Sequence, residues 1–501
     1  MPNLMTHACS GPARDRTQPC DHGDNAPVPS KSEKEAYCVD WELNDPENPR
    51  NWTTAYKGWL TLQLGMLAFA SSLGSSIISP ANNAISRYAH VSPEVATLSL
   101  SLYVLGFAFG PLLWGPVGEV WGRKISLLPA MFCLGLFSIG TATSKTATAI
   151  FITRFFGGLF GSAPVSNVSA ALGDIWAPRA RGTAVTFYAV CVTGGPTLGP
   201  VIGSSLTVSH LGWRWTEYIE AIWVFTISIV GVFALPELYA PVLLKRKAIR
   251  LRKTTGTRAY WHPHEDVRLD FKSIVTKQIS RPMRMLFTEP MVTCIAFYAS
   301  FVYGILYLTL AVFPIVFEEI RGWKLVISTL PFLGLLVGVL CAMAINLTNQ
   351  PRYMRIVDEN GGRPVPEARL PPMLVGGVLM VIGLFWFGWT ALPPHHWVLP
   401  VIACAFIGAG FNIIFQQCIN FLVDTYTLYA ASAVAANTFL RSLLASGFPL
   451  VARPMFYNLG VGPAMSILGA IACLALPVPL LFMKYGLRLR KMSKFAPVED
   501  D

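Results

Sequence analysis

The sequence predicts an all-α membrane protein: twelve transmembrane helices in two pseudo-symmetric bundles of six. Three observations lead there. Of 501 residues, 53% are hydrophobic and only 13% are charged, about half the charge of an average soluble chain. The apolar residues gather in stretches of roughly 18 to 25, the length that crosses a bilayer as a helix, and hydropathy finds about twelve of them. A long basic connection then separates the sixth stretch from the seventh.

Taken in order, residues 1–57 are polar and proline-spotted, with nine acids against six Lys/Arg. No apolar core of a secretory signal opens them, so they read as a cytoplasmic, partly disordered arm, and the first span acts as the insertion signal. The first bundle is expected over 58–235 and the second over 291–483, with clear spans at 58–79, 95–114, 184–206, 373–392, 398–423 and 464–482. Between the bundles, 236–290 forms a cytoplasmic connection holding twelve Lys/Arg against five acids, and 484–501 a cytoplasmic tail. The other basic clusters, at Arg123 and Lys124, Arg179 and Arg181, and Arg352 and Arg355, fall in alternate connections on the same side. The opposite connections hold little beyond Arg87, Lys145, Arg214, Arg321 and Lys324. The positive-inside rule then places both termini in the cytoplasm. The net charge of +11 is thus a topology signal, and no nucleic-acid partner is implied. The ten cysteines lack any metal or redox spacing and read as free thiols; no metal or cofactor is expected.

An internal echo supports the division. The fourth span ends in ALGDIW with Asp174, the tenth in FLVDTY with Asp424, 250 residues later. Pro200 and Pro449 follow these acids by 26 and 25 residues. Parallel repeats of this kind build carriers whose substrate site lies at the repeat interface. No phosphate-cradling G-x-x-x-x-G-K-[ST] loop occurs, nor an arginine ladder or a carbonyl filter. A gradient-driven transporter fits, and neither catalysis nor an ATP pump does.

GPVGEVWGRK (115–124) closes the second span with Gly115, Glu119, Gly122, Arg123 and Lys124. In this setting it resembles the signature between spans two and three of the major facilitator superfamily, with Glu where the family usually carries Asp. Gly115 and Gly122 would let backbones approach. Glu119 would pair with Arg123 and face the positive end of a nearby helix; a simple stop-transfer cluster is the plainer reading. TRFFGGLFG, with Arg154 and Gly158, resembles the family's fourth-span motif. GGPTLGPVIG (194–203), with Gly195, Pro196, Gly199, Pro200 and Gly203, resembles the fifth-span motif of antiporter branches, in which Gly-Pro steps kink the helix. WELNDPENPRNW (41–52), PELYAPVLLKRKAIRLRK (236–253) and LYAASAVAANTFLRS (428–442) resemble hallmarks of the fungal twelve-span drug:proton antiporters. NLTNQPRYMR (346–355) lacks the glycine-acid-glycine pattern, which leaves the second half without a latch.

Several polar groups stand in oil. Arg154 lies seven residues past Ala147, and an arginine at such depth costs about 3 kcal/mol on insertion scales. It is either linked to proton coupling, as the resemblance implies, or a structural partner for helix carbonyls. Arg441 is a similar case, with Asp424 as its expected partner. Asn412, Gln416 and Asn420 recur every four residues and face either a cavity or a neighbouring helix. Tyr303 and Tyr307 either stack on a flat ligand or pack the core. Glu217 and Glu220, beside Trp213, Arg214 and Trp215, read as interfacial anchors.

The resemblance implies a monomeric plasma-membrane exporter of a small organic compound, exchanged for protons by alternating access. The cavity is expected between spans 1, 4, 7 and 10. Glu119, Arg123 and Asp174 would latch the cytoplasmic side, with Arg154, Asp424 and Arg441 as proton-coupling candidates. Asn412, Gln416, Asn420, Tyr303 and Tyr307 would contact substrate. An uptake permease, for polyamines for example, a non-transporting sensor and a channel remain alternatives.

Overall fold

The computed structural model describes residues 37–256, 259–267, 280–493 and 495–496. Most of the N-terminal arm (1–36), part of the connection (268–279) and the end of the tail (497–501) therefore lie outside the described residues. Twelve described helices are long and apolar enough to cross a membrane. Spans 1 to 6 are Thr54–Ala89, Pro93–Val120, Arg123–Thr143, Ala147–Ile175, Ala180–Val208 and Arg214–Ala234. Spans 7 to 12 are Pro290–Ile320, Leu325–Glu359, Pro366–Thr390, Val398–Thr425, Ala430–Leu459 and Val461–Met492. Helices are the natural solution here, because each backbone N–H and C=O must be satisfied within its own segment where no water is present.

Each half has its own core. Leu60, Leu64, Val168, Leu172 and Val192 pack in the first; Ile295, Phe313, Phe332, Phe387 and Phe411 pack in the second. The halves meet along spans 2 and 11, where Phe109 and Phe439 stand edge to face at 5.8 Å. They meet again along spans 5 and 8, where the Ser204 and Thr329 hydroxyls are 2.8 Å apart. Large apolar side chains such as Phe132, Ile152, Ile229, Val337 and Ile382 are exposed on the outer faces of the spans. In a soluble protein such surfaces would demand a partner; here lipid covers them.

Span 5 belongs to one continuous helix, Pro178–Val208, despite Pro196 and Pro200. Gly195, Gly199 and Gly203 stand four residues apart on one face of it. A β-carbon at any of them would overlap span 1 between Ser72 and Ile77. Their use is close packing of two helices, an additional role to the one the motif suggested.

On the face that carries the basic connection, a small cap forms. The helix Ala240–Thr255 buries Leu244 and Ala248 against Val39, with Trp41, Leu251 and Tyr260 beside them. Lys247 reaches Asp45 at 2.5 Å, Arg250 reaches Glu47 at 2.5 Å and Arg252 reaches Glu265 at 2.6 Å. Two acids of the arm and one of the connection thus pair with three of the helix's six basic residues. Burial acts to raise the Asp45 carboxyl, but the Lys247 ammonium and the Glu47 N–H outweigh it and hold it below the usual carboxylate range. His264 Nε2 lies 3.0 Å from the Val120 carbonyl at the end of span 2. Burial and the neighbouring His264 push His262 down to about 4, and burial lowers His264 as well. Seven described cysteines are free thiols; Cys38, expected to be free, is disulfide-bonded.

Candidate functional site

At the basic face of the first half, the glycine-rich turn builds a helix start. Gly122 has φ +103, and a β-carbon there would overlap the Glu237 carboxylate. That carboxylate accepts from the N–H of Arg123 at 2.7 Å and of Lys124 at 3.3 Å, satisfying donors that open span 3. The sequence reading gave this helix-end role to Glu119; the structure gives it to Glu237, the acid of PELYAP. Glu119 lies in the field of Arg123. The Arg123 guanidinium stacks on Tyr239 at 4.8 Å and reaches Asp174 at 2.9 Å. Lys124 Nζ donates to the Val232 carbonyl at 2.7 Å. Gly115 has open space at its β-position, so it mediates no close approach; Gly118, against Asn167, is the tight position.

The second half repeats the arrangement, contrary to the expected one-sided latch. Arg369, the fourth residue of span 9, reaches Asp424 at 2.9 Å and covers the Tyr353 ring at 3.4 Å. Tyr353 donates to the same carboxylate at 2.8 Å. Asp424 is therefore committed to Arg369 and Tyr353, not to Arg441. Its repeat mate Asp174 holds the equivalent pair in the first half. Arg181 lies in the field of both acids and links the two halves electrostatically.

Toward the opposite face, the first half buries a charged triad. Arg154, Glu217 and Glu220 are 1%, 0% and 0% exposed. Arg154 Nη1 is 3.1 Å from Glu217 Oε1 and 3.9 Å from Glu220 Oε2. Its Nε donates to the Ser99 carbonyl and its Nη2 to the Gly74 carbonyl, both at 2.8 Å. Tyr103 lies under the guanidinium at 4.3 Å. Neither Glu220 oxygen has a hydrogen-bond donor; Ser138 nearby donates to the Leu134 carbonyl instead. The interfacial role expected of Glu217 and Glu220 is overturned. They enter the membrane with span 6 but turn inward onto Arg154.

A cavity of about 240 Å³ runs between the halves from Arg441 to the helix ends at the basic face, where Glu119, Arg123 and Arg181 line it. Of the expected spans 1, 4, 7 and 10, spans 4 and 10 wall it, joined by spans 2, 5 and 11; spans 1 and 7 do not line it. Gln416 and Asn420 of the polar stripe line it; Asn412 does not, and instead donates to Thr193 at 3.1 Å. Gln416 spans the halves, donating to Thr186 at 2.7 Å and accepting from Asn346 at 2.7 Å. Tyr303 and Tyr307 stand behind the wall: Tyr303 stacks on Phe415 at 6.0 Å, and Tyr307 donates to Ser75 of span 1 at 2.9 Å. Arg441 lies over the rings of Tyr303 and Phe415, at 4.4 and 4.7 Å. At the opposite face the halves are tied by Arg453, which pairs with Glu319 at 2.8 Å and with Glu94 across the interface at 3.8 Å. The void there measures only about 50 Å³.

Two helical bundles around a cavity open to one face are the architecture of an alternating-access carrier. A sequence model described as Major Facilitator Superfamily matches residues 64–449. The chain belongs to the major facilitator superfamily. It is 41% identical over 474 residues to the multidrug transporter FLU1 of Candida albicans, covering 93% of this chain and 77% of that protein. It is 43% identical over 460 residues to the efflux pump bik6 of Gibberella fujikuroi, covering 91% and 95%. Among solved structures, the proton:xylose symporter XylE aligns with a TM-score of 0.60 at 17% identity, over 87% of this chain and 96% of that one. That likeness establishes the fold of this facilitator and no more.

Four residues of these clusters escaped the sequence reading: Glu237, Arg369, and Glu217 and Glu220, which turn inward. Arg369 could have been found by its place in the repeat, since it lies at the start of span 9 as Arg123 lies at the start of span 3. The glutamates could have been found by depth. Arg154 is seven residues past Ala147 and Glu220 six past Arg214, and both helices enter from the same face. At about 1.5 Å per residue, the two side chains sit at nearly equal depth.

Proposed function

We propose that this facilitator is a proton-coupled exporter of small organic compounds in the plasma membrane, working as a monomer. Its basic face and both termini would lie in the cytoplasm, as the positive-inside rule requires. The observation that carries the reading is the buried triad. One guanidinium stands against two carboxylates, all three side chains closed off from the surface, so one negative charge has no counter-ion unless a proton supplies it. A site that must take up a proton and lies toward the sealed outer face is what a proton-driven exchanger needs. The cavity, open to the basic face, would be the inward-facing loading state. The paired arginine–aspartate clusters of the two halves would adjust as the bundles rock. The names of the relatives, a multidrug transporter and an efflux pump, support export over uptake. A polyamine permease would need several carboxylates in its cavity, whereas this lining holds one, Glu119, against three arginines.

The reading is tested in a yeast strain stripped of its own exporters and challenged with a panel of toxic organic compounds. Expression of the chain is expected to raise tolerance of at least one compound, and a protonophore is expected to abolish that gain. Protection that persists without the gradient, or protection against nothing in the panel, would overturn it.

A further inference from the structure

We infer that Arg441 is the anchor for an anionic group on the cargo, so that the compounds carried are planar organic acids: an aromatic or conjugated body bearing a carboxylate, phenolate or enolate. The inference rests on the exporter reading for its direction of transport, and on the cavity alone for the ligand chemistry.

The argument begins with what Arg441 lacks. It is 1% exposed, and its Nε and Nη1 have no hydrogen-bond acceptor. The carboxylate expected to balance it, Asp424, is bound to Arg369 and Tyr353. Among the described residues, no ion pair reaches Arg441, whereas Arg154, Arg123 and Arg369 each have one. A buried cation without a counter-ion is costly, and aromatic faces repay only part of that cost. Arg441 nevertheless borders the cavity, so a ligand can bring the missing charge to it. One turn earlier on the same helix, Asn437 is fully buried with both side-chain polar atoms unpartnered, a second polar group beside the guanidinium.

The surroundings define the rest of the ligand. Phe411, Phe415 and Tyr303 form a triangular cluster of near-parallel rings, with all three centroids about 6 Å apart and interplanar angles of 19 to 28°. Arg441 lies over Tyr303 and Phe415 of this cluster, and Phe415 is the ring that reaches the cavity. A flat apolar body can lie along such a wall while its acidic group meets a guanidinium that forms two parallel hydrogen bonds. Of the three arginines in the lining, Arg123 is paired with Asp174 and Arg181 lies in the field of Asp174 and Asp424, whereas Arg441 has no carboxylate partner among the described residues. Gln416 and Asn420 supply neutral donors and acceptors on the facing helix without adding a carboxylate.

The test is an equilibrium binding measurement on the purified full chain with no gradient imposed, so it is independent of whether the protein exchanges protons. The probes are matched acid and amide pairs: benzoate and benzamide, 2-naphthoate and 2-naphthamide, anthraquinone-2-carboxylate and its amide. At least one acid is expected to bind about tenfold tighter than its amide, the scale of a hydrogen bond to a charged partner. In Arg441→Gln that ratio should fall to near one, and in Arg441→Lys it should be partly kept. Equal binding of acid and amide by the unmodified protein would overturn the assignment without any mutant, so a variant that fails to fold does not rescue it. Binding by no acid of the three, or an acid preference intact in Arg441→Gln, would overturn it as well.

Discussion

Replacing Glu220 by glutamine should separate proton coupling from transport. The amide has the shape of the protonated acid and cannot lose its proton, so it holds the triad permanently in its neutralised form. At 3.9 Å, attraction between Arg154 and an ionised Glu220 is worth about 4 kcal/mol at an effective dielectric of 20. Arg154 already spends its closer contact, 3.1 Å, on Glu217. The attraction on Glu220 is opposed by the several kcal/mol needed to bury a second carboxylate and by the repulsion of Glu217, so under the proposal one proton is bound and released at Glu220 in each cycle. One proton per cycle and one pH unit across the membrane supply about 1.4 kcal/mol, a limiting accumulation of about tenfold. In proteoliposomes with the potential clamped at zero, the native protein should approach that ratio and Glu220→Gln should stay near one. Exchange of labelled for unlabelled cargo without a gradient should continue in the variant. Gradient-driven accumulation by Glu220→Gln at the native level would refute the reasoning. Loss of exchange together with accumulation would show that Glu220 is needed for packing instead.

Three further outcomes are expected. Gly122→Ala places a side chain at a backbone angle costing about 1–3 kcal/mol and drives it into the Glu237 carboxylate; a melting temperature equal to the native protein's would contradict the account of this turn. Arg369→Gln should weaken the basic face of the second half by about 1–3 kcal/mol, and the reversed pair Arg369→Asp with Asp424→Arg should recover part of it. A double-mutant cycle with no coupling energy would remove the pair from the latch. The cap of arm and connecting helix should loosen in acid. His262 is held near 4 in the docked cap against about 6.5 when free, so between these values the undocked form binds more protons. The contribution is therefore complete above pH 6.5 and fades as pH falls toward 4. Hydrogen exchange over 240–255 should accelerate across that window, and His262→Asn should flatten the response.

The spans were legible because burial in lipid imposes one rule on about twenty consecutive residues, and Arg154 stood out because a charge in oil breaks that rule. Its partners did not stand out. Glu217 and Glu220 open a helix beside two tryptophans and an arginine, which is also how a membrane interface is written; only the neighbouring span decides between the readings. Asp424 shows the same limit from the other side. Its nearest cation in the sequence reading was Arg441, seventeen residues on, yet Arg369, fifty-five residues back, holds it. The cavity walls depend on how far the two bundles have rocked, and no local pattern encodes that. Gln416 and Asn420 came to line the cavity while Asn412 of the same stripe turned to Thr193, a choice made by span 5.

Tyr307 has one further consequence. Its hydroxyl joins Ser75, whose backbone faces Arg154, and it lies within 3.5 Å of the hydroxyl of Tyr303, the ring on which Arg441 rests. In the reading proposed above, fuel and freight occupy separate rooms and communicate through this partition. The engine then need not be rebuilt when the freight changes. A lineage could repaint the walls around Phe415 and Gln416 for a new compound and inherit the drive train intact, at the risk that a loosened partition lets protons run idle.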